Sequence, residues 1–346
     1  MVRDLRRLLR LVLAVTLTMA PAAFGADTAA RRTPPRSTPA SHTADHMVVA
    51  VPVVDVRAQP QAAIAGLAHD EAQETQLLYG ERVKVVERAK GWARIEAQEQ
   101  PEFTHHQRWE GYPGWVPLQT LAPDPERPAS LVVQSTWAAI RRVPEPNAPV
   151  VLTVALGTWL TGTGPVNDWW RVALVNGDVG WLRREEATTL TVLTAQSAAQ
   201  QRVRVLDAAS RFLDDPYRWG GRSPAREAVD GPASGVDCSA LVELAYRAIG
   251  LSIPRDAHEQ YLRSRRIQRD QLRPGDLVFL SKPQEPEQIV HVLLYAGEGR
   301  LIEGPGTGGR VRAISWVERL GVPLGRTEAG QVVNNGQTIW FGAYLQ

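Results

Sequence analysis

The stretch DCSALVELAYRAIG, residues 237–250, decides how the C-terminal half of this chain folds. Asp237 is predicted to cap the start of a helix, and Gly250 to end it. Cys238, the only cysteine of the chain, then lies in the first turn. The apolar residues recur at the three- and four-residue spacing of a helix with one buried face: Leu241, Leu244, Ala245, Ala248 and Ile249.

A lone cysteine cannot form an intramolecular disulfide, so Cys238 is a core bystander, an intermolecular link or a reactive thiol. The unpaired N–H groups at a helix start stabilise a thiolate and could help to hold a tetrahedral oxyanion. The carboxylate of Asp237 opposes the effect on the thiolate. A nucleophilic Cys238 therefore needs a cationic partner as well.

A histidine is the expected base for a cysteine nucleophile. Two of the seven histidines, His258 and His291, follow the cysteine; the other five lie far N-terminal to it. His258 belongs to a polar helical stretch, RDAHEQYLRSRR, and reads as a solvated surface histidine. His291 opens HVLLYAGEGRLIEGPG, which predicts a strand, a glycine-rich turn at 297–299 and a return strand. We therefore predict His291 as the base.

Glu303 on the return strand is the predicted third group, which would fix the tautomer of His291 and support its protonated form. The two side chains share a face only if Leu293 pairs with Glu303. That register requires an odd-length loop or a bulge in the hairpin. The alternative is an exposed strand glutamate with no role in catalysis.

The first 25 residues resemble a secretory signal peptide, with four arginines before an apolar run at 11–20 and small residues at 23–25. This run is shorter than the ~20 residues that span a bilayer, so we expect export to the periplasm or cell envelope without a stable membrane anchor. Residues 26–46 are rich in Pro, Ser, Thr and Arg and predict a disordered tether. Without residues 1–25 the chain would carry 35 basic and 36 acidic side chains, a balance that does not suggest nucleic-acid binding.

Short apolar alternations separated by Gly and Pro predict two small all-β units, at 47–122 and 128–190. Val83 and Val85 alternate before a predicted turn at Lys90-Gly91. The second unit repeats the order of the first, which implies duplicated β-barrels. The matching positions are Gly80 with Gly157, Trp92 with Trp169 or Trp170, and Gly114-Trp115-Val116 with Gly180-Trp181-Leu182.

Both units resemble bacterial SH3-like domains, through an opening "VR..P", a central Gly-Trp segment and a closing "GWV". After a polar run at 191–201 the pattern changes, and apolar spacing over 203–213 predicts a helix. The last domain is assigned to 198–346. The predicted fold class is α+β, with this last domain behind two SH3-like barrels.

Four segments, in their order and spacing, are similar to the NlpC-type family of papain-like cysteine peptidases, which cut bacterial cell-wall peptides: DCSALV, GLSIPRDAHEQ, LRPGDLVFL and HVLLYAGEGRLIEGPG. The resemblance implies a cysteine nucleophile, a histidine base and a third polar residue, here Cys238, His291 and Glu303. Two departures are a long segment at 222–236 and Ala240, where glycine is common in the family.

Within the NlpC-type family, members with this SH3-like arrangement resemble γ-D-glutamyl-L-diamino-acid endopeptidases. This resemblance implies cleavage after L-Ala-γ-D-Glu in peptidoglycan stem peptides or muropeptides, with a free L-Ala amine bound by acidic and aromatic groups from two domains. The matching substrate-binding candidates are Tyr217, Asp237, Ser239, Arg255 and Asp256 in the catalytic domain, and Glu81 and Tyr112 in the first β unit. Each candidate also has a purely structural interpretation. Tyr217 could pack within the domain, and Asp237 could serve only as the cap of its helix. Arg255 and Asp256 could form a local salt bridge or a helix cap.

The predicted chemistry uses no metal ion and no cofactor. The expected partners are peptidoglycan peptides or muropeptides. One rival function is a noncatalytic wall-binding protein with a degenerate papain-like domain. Another is a peptidoglycan amidase or acyl-transfer enzyme on the same scaffold. Retention of Cys238, His291 and Glu303 argues against the noncatalytic rival.

Overall fold

The computed structural model describes residues 45–64, 69–226 and 233–346. The predicted signal peptide at 1–25 lies outside the described residues. The predicted tether at 26–46 also lies outside them, except for Asp45 and His46, which begin the first strand. No helix in the described ranges is long and apolar enough to cross a membrane.

The first β unit is a seven-stranded antiparallel sheet in the order β3-β2-β6-β5-β4-β1-β7. Val83 and Val85 point into its core, as their alternation predicts. The turn that follows is Lys90-Gly91, where both residues have a positive φ, the geometry of a two-residue hairpin turn. The strands are β1 (Asp45–Val49), β2 (Val53–Arg57), β3 (Gln73–Leu78), β4 (Arg82–Ala89), β5 (Trp92–Glu102), β6 (Glu110–Pro117) and β7 (Leu121–Pro123).

The second β unit repeats the first strand for strand, in the order β10-β9-β13-β12-β11-β8-β14. Gly80 and Gly157 hold the same place before the fourth strand of each unit and share a φ near +80°. This equivalence confirms the predicted duplication. The strands are β8 (Leu131–Val133), β9 (Trp137–Arg141), β10 (Val150–Ala155), β11 (Trp159–Val166), β12 (Trp169–Ala173), β13 (Val179–Arg183) and β14 (Ala187–Thr189).

Two helices follow the second sheet, α1 (Leu190–Thr194) and α2 (Ala198–Ser210). The prediction of a helix was right, but its range of 203–213 was displaced toward the C-terminus. Helix α2 begins earlier because Ser197 and Gln200 form a capping box that satisfies the first backbone N–H groups. These polar residues therefore start a helix that the apolar spacing alone does not show.

The C-terminal part is a six-stranded sheet in the order β17-β22-β18-β19-β20-β21. Its buried face packs against α2 and α3 in one core. The elements are β15 (Arg222–Ser223), β16 (Gly235–Val236), α3 (Cys238–Arg247), α4 (Ala257–Arg263), β17 (Arg265–Arg266), β18 (Leu277–Lys282), β19 (Glu285–Gly297), β20 (Arg300–Glu303), β21 (Arg312–Ser315), α5 (Trp316–Leu320) and β22 (Ile339–Ala343).

Candidate active site

Cys238 is the first residue of α3, as the sequence predicts. Asp237 caps the helix, because its Oδ1 accepts a hydrogen bond of 2.7 Å from the backbone N–H of Ala240. The rest of α3 is buried, which fixes the start of the helix within the core. The Cys238 side chain is not sealed, since 8% of the residue remains exposed.

His291 lies on β19 and contacts both of its predicted partners. Its Nε2 is 3.1 Å from Oε2 of Glu303, and the ring lies close enough to Cys238 for the two groups to interact. Since Nε2 faces the carboxylate, Nδ1 is the nitrogen available to the sulfur. The three groups predicted from the sequence therefore meet at one place.

The predicted hairpin register is also observed. Leu294 pairs with Ile302, so the preceding residue, Leu293, stands opposite Glu303. An irregularity between Tyr295 and Gly297 supplies the bulge that this register requires.

The electrostatics of this group favour a protonated imidazole. Burial alone would lower the pKa of His291, but the negative charge of Cys238, the hydrogen bond with it and the contact with Glu303 raise the pKa to about 9. Near neutral pH the ring of His291 is therefore protonated, and an imidazolium is the partner that favours a reactive thiol.

Glu303 is fully buried and faces three cationic groups. Oε2 accepts from Nε of Arg319 at 2.8 Å as well as from His291, and Oε1 accepts two hydrogen bonds from Arg312 at 2.8 and 3.1 Å. Burial would raise the pKa of Glu303, but the hydrogen bonds from His291, Arg319 and Arg312 and the charge of Arg319 lower it to about 2. Neither arginine was among the residues predicted from the sequence.

Asp237, Ser239 and Arg255 form a buried polar cluster at the start of α3. Nη2 of Arg255 is 2.7 Å from Oδ2 of Asp237, and Nη1 donates to Oδ1 of Asp237 and to Ser239. Arg255 is thus the cation that offsets the charge of Asp237 beside the sulfur. These side chains bond to one another and to the start of α3, where Cys238 lies. Their contact with substrate stays a prediction.

Tyr112 of the first β unit reaches the catalytic domain. Its hydroxyl donates to Oδ2 of Asp256 at 3.0 Å and lies 3.5 Å from Oε2 of Glu74. Burial raises the pKa of Asp256 to about 7, an effect that the charge of Arg255 opposes and those of Glu259 and Asp237 reinforce. Two carboxyl groups and a phenol from two domains thus face a common space.

Glu81 was predicted as a substrate-binding candidate, and the structure places it in a buried ion network instead of with this acidic group. The residue is 1% exposed, and its Oε1 is 2.7 Å from Nη1 of Arg222, while Oε2 accepts from Gln100. Arg247 lies 3.5 Å away on the other side. The first β unit offers Glu74 at the cleft instead, a residue for which the sequence carries no particular signal.

Tyr217 is half-buried beside the reacting group. Burial and the charges of Cys238 and Asp237 raise the pKa of Tyr217, so that its hydroxyl stays protonated at neutral pH. His258 is half-buried on α4, and its Nδ1 accepts from the backbone N–H of Ile289, two residues before His291, at 3.3 Å. It is therefore not the solvated surface histidine that the sequence predicts, and His291 is the histidine beside Cys238.

Within the part of the chain described, Glu102, His106 and Glu110 are close enough to share a metal ion. Glu102 ends β5, Glu110 begins β6, and His106 lies in the loop between them. Each carboxylate already faces a cation or a histidine ring, since His105 contacts Glu102 at 2.9 Å and Arg108 contacts Glu110 at 2.7 Å. These contacts compete with metal binding and offer no support for a metal centre.

Comparison with known proteins gives the family of this fold. Residues 214–320 match the model of the NlpC/P60 family. A γ-D-glutamyl-L-lysine dipeptidyl-peptidase of Bacillus cereus is 30% identical over 240 residues, which cover 67% of each chain. This chain belongs to the NlpC/P60 family. A γ-D-glutamyl-L-lysine dipeptidyl-peptidase from Bacillus subtilis is 28% identical over 259 residues, covering 74% of this chain and 80% of that protein.

Solved structures support the same assignment of the fold. An NlpC/P60 family protein from Bacillus cereus superposes with a TM-score of 0.68 at 22% identity, covering 87% of this chain and 100% of that one. The similarity extends over the β units as well as the NlpC/P60 domain. The predicted α+β architecture, with a papain-like domain behind two β units, is confirmed.

Proposed function

We propose that this NlpC/P60 protein is a cysteine endopeptidase that cleaves the γ-D-glutamyl-L-diamino acid bond of peptidoglycan stem peptides or muropeptides. The observation that carries the proposal is the contact of His291 with both Cys238 and Glu303. Similarity to the two Bacillus γ-D-glutamyl-L-lysine dipeptidyl-peptidases supports the choice of bond. We also propose export to the cell envelope, where such a substrate occurs.

The geometry supports a two-step mechanism. The Cys238 thiolate attacks the γ-carbonyl carbon of D-Glu, and a C–S bond forms while the carbonyl electrons move to oxygen. The N–H of Cys238, at a helix start without a helical partner, is available to that oxyanion. Collapse breaks the C–N bond, and the imidazolium of His291 gives its proton to the leaving amine.

Water completes the cycle. Neutral His291 takes a proton from a water molecule whose oxygen attacks the thioester, and the thiolate leaves as the acid forms. This step restores the thiolate beside an imidazolium. Glu303 supports the imidazolium form in the resting state and after each proton uptake.

The free amine of L-Ala is proposed to bind between Asp256, Glu74 and Tyr112. The two carboxyl groups supply negative charge and the phenol oxygen an acceptor, which suits an ammonium group. The first β unit closes this end of the cleft, since Arg255 donates to its Thr75 at 2.7 Å and Glu259 accepts from its Thr104 at 3.1 Å. A stem peptide still attached to muramic acid through an amide would have no ammonium to place there.

The first test is cleavage of L-Ala-γ-D-Glu-diaminopimelate by the full chain, followed by mass analysis of the products. Cys238→Ala and His291→Ala should each lower turnover by at least about 10³-fold. His258→Asn is the matched control, because its amide can keep the hydrogen bond with Ile289, and it should retain full activity. Undiminished turnover by Cys238→Ala would refute the proposal, and products cut at the amide before L-Ala would indicate an amidase instead.

The amine site is tested with a second substrate. The N-acetylated form of the same peptide loses the ammonium group and should be cleaved at least about 100-fold more slowly, because the carboxylates would be left without a partner. The lysine-containing peptide provides a control that keeps the amine. Equal rates for the free and acetylated peptides would contradict the proposed amine site.

A further inference from the structure

The carboxylate of Glu303 is held by more positive charge than a catalytic triad requires. Beside His291, it accepts one hydrogen bond from Arg319 and two from Arg312. The carboxylate is fully buried, so water contributes nothing to its solvation. Three cationic side chains therefore solvate a single negative charge.

The two arginines come from different elements and approach different oxygens. Arg312 begins β21 and pairs directly with Glu303 across the two strands. Arg319 lies on α5, whose start is capped by Ser315. Arg319 shares Oε2 with His291, whereas Arg312 takes Oε1 in a forked contact.

A charged third residue creates an electrostatic problem for this site. A buried carboxylate near the ring stabilises the imidazolium, but its negative charge also disfavours a thiolate a few ångströms away. An imidazolium held too tightly is also a poor acid toward the leaving amine. Two guanidinium groups on Glu303 reduce both effects, because they take up its negative charge.

We propose that Arg312 and Arg319 are positioning residues that act through Glu303, holding it ionised and oriented while balancing its charge so that Cys238 and His291 can exchange a proton. Their side chains contact Glu303. The low pKa of Glu303, about 2, supports this role, since the contacts with His291, Arg319 and Arg312 overcome the effect of burial. The inference rests on the proposed function only in taking Cys238 as nucleophile and His291 as base.

The charged groups around the pair come from several elements. Glu303 on β20 faces His291, and Arg312 and Arg319 face Glu303. On the other side, Tyr217 lies near Cys238, and the paired Asp237 and Arg255 stand at the start of α3. Of these, only the two arginines contact Glu303 without contacting the nucleophile, which allows their effect to be measured separately.

The test measures the rate of Cys238 alkylation by iodoacetamide against pH, which requires no substrate. Removing one positive charge disfavours the Cys238 thiolate and favours the His291 imidazolium. It should therefore raise both the pH at which the thiolate forms and the pH at which the imidazolium loses its proton. Both limbs of the rate profile, which report these two ionisations, should move to higher pH. Arg319→Met should shift them by about one pH unit, and Arg312→Met by less, because its side chain is 49% exposed. Arg319→Lys keeps the charge and should restore most of the wild-type profile.

Arg300→Met is the matched control, because Arg300 is an exposed arginine on the same strand as Glu303. It should leave the profile unchanged. Circular dichroism checks that each variant is folded. If Arg319→Met does not fold, Arg312→Met carries the test, since its exposed side chain adds little to the core.

A second experiment reverses the sign of the effect. Glu303→Gln leaves both arginines uncompensated and should move the alkylation profile to lower pH, and Arg319→Met in that background should move it back. Unchanged profiles in folded Arg312→Met and Arg319→Met, or an equal shift in Arg300→Met, would overturn the inference. Failure of the proposed function would instead appear as an absence of peptide cleavage with the alkylation shifts intact.

Discussion

Asp256 shows how a single residue can couple substrate binding to pH. Its carboxyl group accepts from Tyr112 and has a pKa of about 7, so it is half protonated near neutral pH in the free protein. A protonated carboxyl group attracts an ammonium far less than a carboxylate does. At the proposed amine site, binding of L-Ala is therefore expected to be linked to loss of this proton.

We predict that KM for the free-amine peptide falls as pH rises from 6 to 7.5, because Asp256 becomes ionised while the peptide amine keeps its charge. Asp256→Asn should raise KM at pH 7.5 by about tenfold and flatten this dependence. Steady-state kinetics across the pH range check both effects. Asp270→Asn serves as the control, because it changes an exposed carboxyl group in the same domain. A wild-type pH dependence of KM in Asp256→Asn would contradict the role of the Asp256 carboxyl group.

At the scale of secondary structure, the hairpin of β19 and β20 and the start of α3 bring together the proposed catalytic group. The strand register brings Glu303 to His291, and the cap of α3 brings Cys238 to the same point. Arg255, in the segment before α4, pairs with Asp237 and ties that segment to the cap. The placement of the nucleophile thus depends on an ion pair between neighbouring elements.

Arg255→Met should leave the carboxylate of Asp237 buried without its partner, with a loss of about 3–5 kcal/mol in the free energy of unfolding. Denaturant unfolding measures the change. The double variant Asp237→Asn with Arg255→Met removes the orphan charge and should recover part of the loss. A loss under about 1 kcal/mol in Arg255→Met would show that the pair contributes no more than an exposed salt bridge.

At the scale of the whole molecule, a buried ion network joins the first β unit to the catalytic domain. Arg222 bonds to Glu81 of the β unit at 2.7 Å and to Glu243 of α3 at 2.6 Å. All three side chains are fully buried. The network fixes the β unit over the cleft, which positions Tyr112 and Glu74 opposite Asp256.

Arg222→Met should leave Glu243 without its charged partner and Glu81 with only Gln100 and the more distant Arg247. It should lower the free energy of unfolding by at least about 3 kcal/mol and raise KM, because the amine site would lose its alignment. Thermal unfolding and peptide kinetics measure the two effects. Arg211→Met is the control, since that arginine forms only an exposed contact with Asp207 and should change stability by less than about 1 kcal/mol. Unaltered unfolding in Arg222→Met would contradict the role of this network in docking.

The sequence by itself determined the features that depend on local pattern. The helical spacing and the capping residue located Cys238, and the alternation and turn glycines of the hairpin located His291 and Glu303 with their register. The repeated order of glycines and tryptophans located the two β units. These features follow from residues close together in the chain, so spacing is enough to predict them.

Only the tertiary structure decided which distant side chains meet. It placed Glu81 in a buried ion network and Glu74 at the cleft, although both lie on the same β unit. It also brought Arg312 and Arg319 to Glu303. The physical reason is that the partner of a buried charge is set by how whole units dock, and neither residue spacing nor hydrophobic periodicity carries that information.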